Sequence, residues 1–97
     1  LEISEFQRRI ERQFLARDRA RGVMGTFAWF VEEVGELAAE LREETAPEAL
    51  AAEFADVFAW LASLASLKGV ELDRAVEKYA RGCPSCSGEP CTCPTKP

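Results

Sequence analysis

The sequence has no histidine, no cysteine before residue 83 and, outside its last residues, a single proline. Without histidine, a catalytic zinc of the usual open type has few ligands to draw on. A cysteine-free stretch of this length is not how a secreted domain distributes disulfides, so a reducing, cytoplasmic setting is expected. Basic residues are also short: 12 against 17 acids, net charge −5. That excludes the basic face of a general nucleic-acid binder, although a divalent cation could still bring a polyphosphate to an acidic protein. No uninterrupted apolar run approaches the ~20 residues of a membrane span. Leu1 to Glu11 is amphipathic and charged rather than signal-like.

What is present reads as helix. With 47% hydrophobic and 30% charged residues, the chain is too apolar for disorder. Its 97 residues form one small domain that benefits from oligomerisation or a bound metal. Ile3, Phe6, Ile10, Phe14 and Arg17 give an i, i+3/i+4 series over about 3–20. Gly22 and Gly25 break it, and Thr26 is the expected N-cap of a second helix over about 27–44. That helix carries Phe27, Phe30, Val31, Val34, Leu37, Ala38 and Leu41 on one stripe. Thr45 and Glu48 have capping-box spacing, and Pro47 suits a first turn, so a third helix is expected over about 47–68, stopped by Gly69. A short fourth, about 72–81, would turn Leu72, Ala75, Val76 and Tyr79 inward.

The third helix is apolar or small nearly all round. Beyond its core series of Leu50, Phe54, Val57, Phe58, Leu61 and Leu64 it carries Ala52, Ala55, Ala59 and Ser63. Such a helix is normally covered on every side, and a second subunit is the expected cover. After Gly82 the composition changes: four of the five prolines and all four cysteines lie there. The expected architecture is therefore all-α: a four-helix bundle-type protomer over 1–82, oligomeric, with a Cys/Pro-rich tail over 83–97.

Two acid pairs need a reason. Glu33 and Glu36 on the second helix, and Glu53 and Asp56 on the third, are each spaced i, i+3 and share a helix face. At ~100° per residue, Glu33 and Glu53 fall about 90° from the centres of their apolar stripes, and Glu36 and Asp56 about 150°. If the two helices pack antiparallel, all four acids converge at the edge of the seam. No lysine or arginine lies between Arg42 and Lys68 to neutralise them locally. Converging carboxylates repel unless a cation intervenes, and hard oxygen donors suit Mg²⁺ or Mn²⁺.

Glu32-Glu33-Val34-Gly35-Glu36, followed after a gap by Glu53-Phe54-Ala55-Asp56, resembles the EExxE…ExxD signature of the all-α MazG-like nucleoside triphosphate pyrophosphohydrolases. Glu33 to Ala38 and Gly69 to Ala75 extend the resemblance. It implies a helical dimer or dimer of dimers, with Mg²⁺ held by Glu33, Glu36, Glu53 and Asp56. It also implies attack of water on the α-phosphorus, giving a nucleoside monophosphate and pyrophosphate. Glu32 matches the remaining family acid, either orienting the water or facing outward. Where the family often has lysine and asparagine, this chain has Lys78 and Arg81 and contains no asparagine. These two either grip phosphate oxygens or stay solvated. Trp29, Phe30 and Trp60 are the aromatic candidates for a base.

The tail reads CxxC-x4-CxC at Cys83, Cys86, Cys91 and Cys93. One tetrahedral Zn²⁺, reduced unstructured thiols and disulfides are the three readings open to it. Two further functions stand beside nucleoside triphosphate hydrolysis. One is phosphoribosyl-ATP pyrophosphohydrolysis on the same fold. The other is a non-catalytic oligomerisation module whose zinc-binding tail engages a partner.

Overall fold

The computed structural model describes residues 1–95. Three long helices, α1 (Ile3–Arg21), α2 (Val23–Glu43) and α3 (Pro47–Leu67), are followed by one turn of helix, α4 (Leu72–Ala75), and a 3₁₀ turn at Val76–Tyr79. No strand occurs among the described residues. The all-α expectation holds, but the fourth helix is shorter than its pattern suggests. Val76 is 45% exposed and Tyr79 61%, so neither packs inward. Without an apolar partner the segment tightens into 3₁₀ rather than continuing as α.

The turns are set by few residues. Gly22 alone separates α1 from α2, with φ 89°. Its N–H donates to Asp18 O at 2.8 Å, and its carbonyl accepts from Thr26 N at 3.0 Å. Thr26 is therefore not the N-cap. It lies inside the first turn of α2, fully buried, where its Oγ1 accepts from Arg21 Nη1 at 3.3 Å. Ala46, rather than Thr45, caps α3, and no side-chain cap bond forms there. The capping box is absent because the chain enters α3 one residue later than its spacing implies. Gly69 (φ 70°) closes α3 as expected: Val70 N–H donates to Ala65 O at 2.8 Å and Gly69 N–H to Ser66 O at 3.1 Å, the Schellman pattern.

Helices α2 and α3, linked by Glu44, Thr45 and Ala46, make the most extensive contact in the chain, and α1 lies across α3. Apolar burial is slight. Ile10, Ala62 and Ala65 are the buried hydrophobic residues, beside polar Gln7, Asp18, Thr26 and Ser63. Gln7 is 0% exposed and fully bonded: Nε2 donates to Ser66 Oγ (3.0 Å) and Val70 O (2.9 Å), while Oε1 accepts from Leu72 N (3.0 Å). It ties α1 to the α3–α4 turn. Ser66 Oγ in turn donates to Glu11 Oε2 at 2.6 Å, and Arg8 pairs with both Glu11 and Glu71.

Much of the expected core is open. Phe27, Val31, Val34 and Leu41 of α2, with Phe54, Phe58 and Leu61 of α3, are all exposed. The stripe on each helix is wider than one neighbour can cover, and α1 reaches only part of it. The small-residue face of α3 divides: Ala52 and Ala55 are exposed, whereas Ser63 is buried within its own chain. By length and overall composition Pro47–Leu67 would suffice to cross a membrane, and little of it is buried. Its acids Glu53 and Asp56 interrupt it near the middle.

Candidate metal centre

The hairpin of α2 and α3 orders its seam by helical spacing. Trp29 and Glu33 are i, i+4 on α2, and Asp56 and Trp60 are i, i+4 on α3. In a hairpin the two tryptophans then share one end, with acids toward the turn. The ring centroids of Trp29 and Trp60 are 6.1 Å apart and within 14° of parallel. One carboxylate oxygen from each of Glu33, Glu53 and Asp56 lies within 4.8 Å of the others. Glu36 adds its charge to both Glu33 and Glu53. Three of the four predicted acids therefore come together, and Glu36, exposed, acts on two of them by its charge.

Their electrostatics are those of a site lacking a countercharge. Partial burial pushes the Glu33 carboxyl above its ordinary value, and the negative charges of Glu36, Asp56 and Glu53 push it further. Burial likewise raises Glu53, followed by Glu36, Asp56 and Glu40. Glu33 Oε2 and Glu53 Oε2 are buried with no hydrogen-bond partner. Among the described residues none of the four acids is ion-paired. Buried, unpartnered oxygens crowded together fit a hard divalent cation, which removes both the repulsion and the unmet acceptors.

Glu40 is a further acid whose charge reaches this cluster. It is half-buried, its Oε2 has no partner, and its charge acts on Glu53. Glu33, Glu36 and Glu40 at i, i+3, i+7 share one face of α2.

A cavity of roughly 440 Å³ opens beside the acids. Trp29, Glu33, Asp56 and Trp60 wall it from the hairpin, and α1 contributes Phe14, Arg17, Asp18 and Arg21. Arg21 is held there. Its Nη1 pairs with buried Asp18 at 3.0 Å, and its guanidinium lies over the Trp60 ring at 5.1 Å. Gly25 makes room for this, since a Cβ there would come within 2.7 Å of Arg21 Cγ. These two arginines were missed because Arg17 continues the apolar periodicity of α1 and Arg21 abuts the break at Gly22.

The other candidates lie elsewhere. Glu32 is exposed and lines no part of the cavity. Lys78 sits over the Tyr79 ring at 5.2 Å, and Arg81 is exposed in the turn beyond it; neither reaches the cavity wall of this chain. Phe30 is half-buried and stacks on Phe27. The four cysteines form a second cluster of their own. There, N–H donors from Thr92 and Gly88 bring Cys86 down to about 5, while the neighbouring Cys91 and Cys86 sulfurs push Cys93 up to about 11.

The family model of the MazG nucleotide pyrophosphohydrolase domain matches residues 22–87, about two thirds of the chain. The chain belongs to the MazG family. The match begins at the glycine that opens α2, spans both acid pairs and runs into the cysteine tail. Members of this family are nucleotide pyrophosphohydrolases that use a divalent metal. No curated protein matches the chain significantly. Both acid pairs and the wall residues Trp29, Glu33, Asp56 and Trp60 lie inside the matched stretch.

Proposed function

We propose that this MazG protein hydrolyses a nucleoside triphosphate, an NTP or dNTP, to the monophosphate and pyrophosphate. The observation that carries the proposal is the convergence of Glu33, Glu53 and Asp56 with two buried, unpartnered oxygens. Glu33, Glu36, Glu53 and Asp56 would hold Mg²⁺, with Mn²⁺ as a substitute. When bound, the ion neutralises the polyphosphate and lowers the pKa of a coordinated water.

The chain's own residues supply the rest. Trp29, 47% exposed and backed by Trp60, offers a flat apolar surface on which a base can stack, worth about 1–3 kcal/mol per base in single-strand binders. Arg21, fixed by Asp18 and Thr26, closes that wall and offers positive charge to an anionic ligand. Arg17 adds a second positive group on the same side. This ordering puts the base at the tryptophan end and the phosphates at the acids. Glu40, beside Glu53, is a better-placed additional acid than exposed Glu32, and we assign it to positioning Glu53. Lys78 and Arg81 act on phosphate only if a neighbouring subunit brings them to a cavity.

A homodimer, or a dimer of dimers, follows from the open stripes of α2 and α3. Contiguous exposed apolar surface of this kind marks an interaction site. Cysteines that form no disulfide and a net charge of −5 suit the cytoplasm. The test is a panel of NTPs, dNTPs and phosphoribosyl-ATP with Mg²⁺, scored for pyrophosphate against orthophosphate. Pyrophosphate from at least one NTP or dNTP is expected. Turnover of phosphoribosyl-ATP alone would move the substrate class, and orthophosphate as first product would refute the reaction.

A further inference from the structure

We propose that Cys83, Cys86, Cys91 and Cys93 bind one structural Zn²⁺ as a closed tetrathiolate knuckle that orders the C-terminal tail. The four sulfurs lie within 4.8 Å of one another. Cys83 Sγ is 3.8 Å from Cys93 Sγ, and Cys86 Sγ is 3.9 Å from Cys91 Sγ. A disulfide requires about 2.05 Å. Four sulfurs about 2.3 Å from one zinc in a tetrahedron are about 3.8 Å apart. Both paired spacings match the metal and not the bond.

The backbone is arranged around the sulfurs. Ser85 N–H points at Cys83 Sγ (3.4 Å), Gly88 and Thr92 N–H at Cys86 Sγ (3.4 and 3.3 Å), and Cys93 N–H at Cys91 Sγ (3.3 Å). Such donors favour thiolate, the form that binds metal. The loop is closed by Ser87 N–H to Cys83 O at 2.7 Å and Cys83 N–H to Gly88 O at 3.0 Å. A Cβ on Gly82 (φ 103°) would meet Ser87 O at 2.7 Å, and one on Gly88 would meet Pro90 O at 2.7 Å. The two glycines are thus part of the knuckle.

This segment has no helix, strand or large apolar residue to hold it, and a metal crosslink supplies what a core cannot. Four thiolates leave no open position, so the zinc is structural. Binding releases the remaining thiol protons to solvent.

Metal analysis of the full chain, purified with reductant and dialysed into Mg²⁺ buffer, should find one zinc per chain. Exchange for Co²⁺ should give intense thiolate-to-cobalt charge-transfer absorption, which carboxylate ligands at the acid site do not produce. In the C86S/C91S double variant both signals should vanish while helical circular dichroism persists, and protease should then cut after Gly82. A chain free of zinc would overturn the proposal, in favour of reduced thiols where the intact mass keeps the four thiol hydrogens and of two disulfides where a reductant-free preparation lacks them. So would bound iron, or a cobalt spectrum unchanged in the double variant. None of these readouts depends on nucleotide hydrolysis.

Discussion

At the scale of single residues, the proposed chemistry rests on the acids, and their crowded charge carries a cost. Replacing Glu53 with Gln or Asp56 with Asn removes an oxygen donor while keeping shape. Activity should fall at least about 100-fold, since loss of mere outer-shell support already costs 10–100-fold. Full activity in either variant at limiting Mg²⁺ would remove these acids from the site. The raised carboxyls also set a pH dependence. Glu33 and Glu53 are raised above the ordinary glutamate value of about 4.5, so between the ordinary and the raised values the fold holds more protons than the unfolded chain. Stability of the metal-free protein should therefore decline as pH rises from 4.5 through the raised values. Saturating Mg²⁺ should flatten or reverse that slope in thermal melts; a metal-independent slope would contradict it. The approach of Glu33, Glu53 and Asp56 to one another was legible from sequence because i, i+3 spacing fixes a face. Glu40 was not, since a glutamate on a charged surface has the same letters as one turned into the seam.

Among elements, the junctions are where sequence and structure part. Gly22 and Gly69 announced two helix ends correctly, because a positive φ is a demand on one residue. Thr26 does not cap because its hydroxyl accepts from Arg21 instead, and Thr45 does not because α3 begins one residue later, leaving its Oγ1 buried and without a partner. Gly25→Ala should displace Arg21 from Trp60 and raise KM for nucleotide more than it lowers kcat, with little loss of helicity. An unchanged KM would detach Arg21 from binding. Gln7→Leu should destabilise the protein by about 1–3 kcal/mol in denaturant melts, as it strips a buried N–H and carbonyl of their partners. A loss under half of the lower figure would mean that water replaces the amide. The shortened fourth helix was invisible in the periodicity of Leu72, Ala75, Val76 and Tyr79, which promised a partner this chain alone does not provide.

For the whole molecule, the shortage of buried apolar surface is the main structural fact. Phe54 at 53% and Leu41 at 56% exposure are costly in water, where each buried side chain of this size is worth about 1.5–3 kcal/mol. An even-numbered assembly through α2 and α3 should be seen by sedimentation at micromolar concentration. Val34→Glu with Leu61→Glu should split it, and a compact monomer in the unmodified protein would contradict the assembly. The all-α class and the apolar third helix were readable in advance. Which of its faces stays open was not, since that depends on where α1 crosses. The proposed reaction is attack of water on the α-phosphorus of a nucleotide, directed by acids at the α2–α3 seam. Hydrolysis of a cleaved NTP or dNTP in ¹⁸O-water tests it most directly. The heavy oxygen should appear in the nucleoside monophosphate, with unlabelled pyrophosphate beside it. Label in orthophosphate or in pyrophosphate would place the attack at another phosphorus and contradict it.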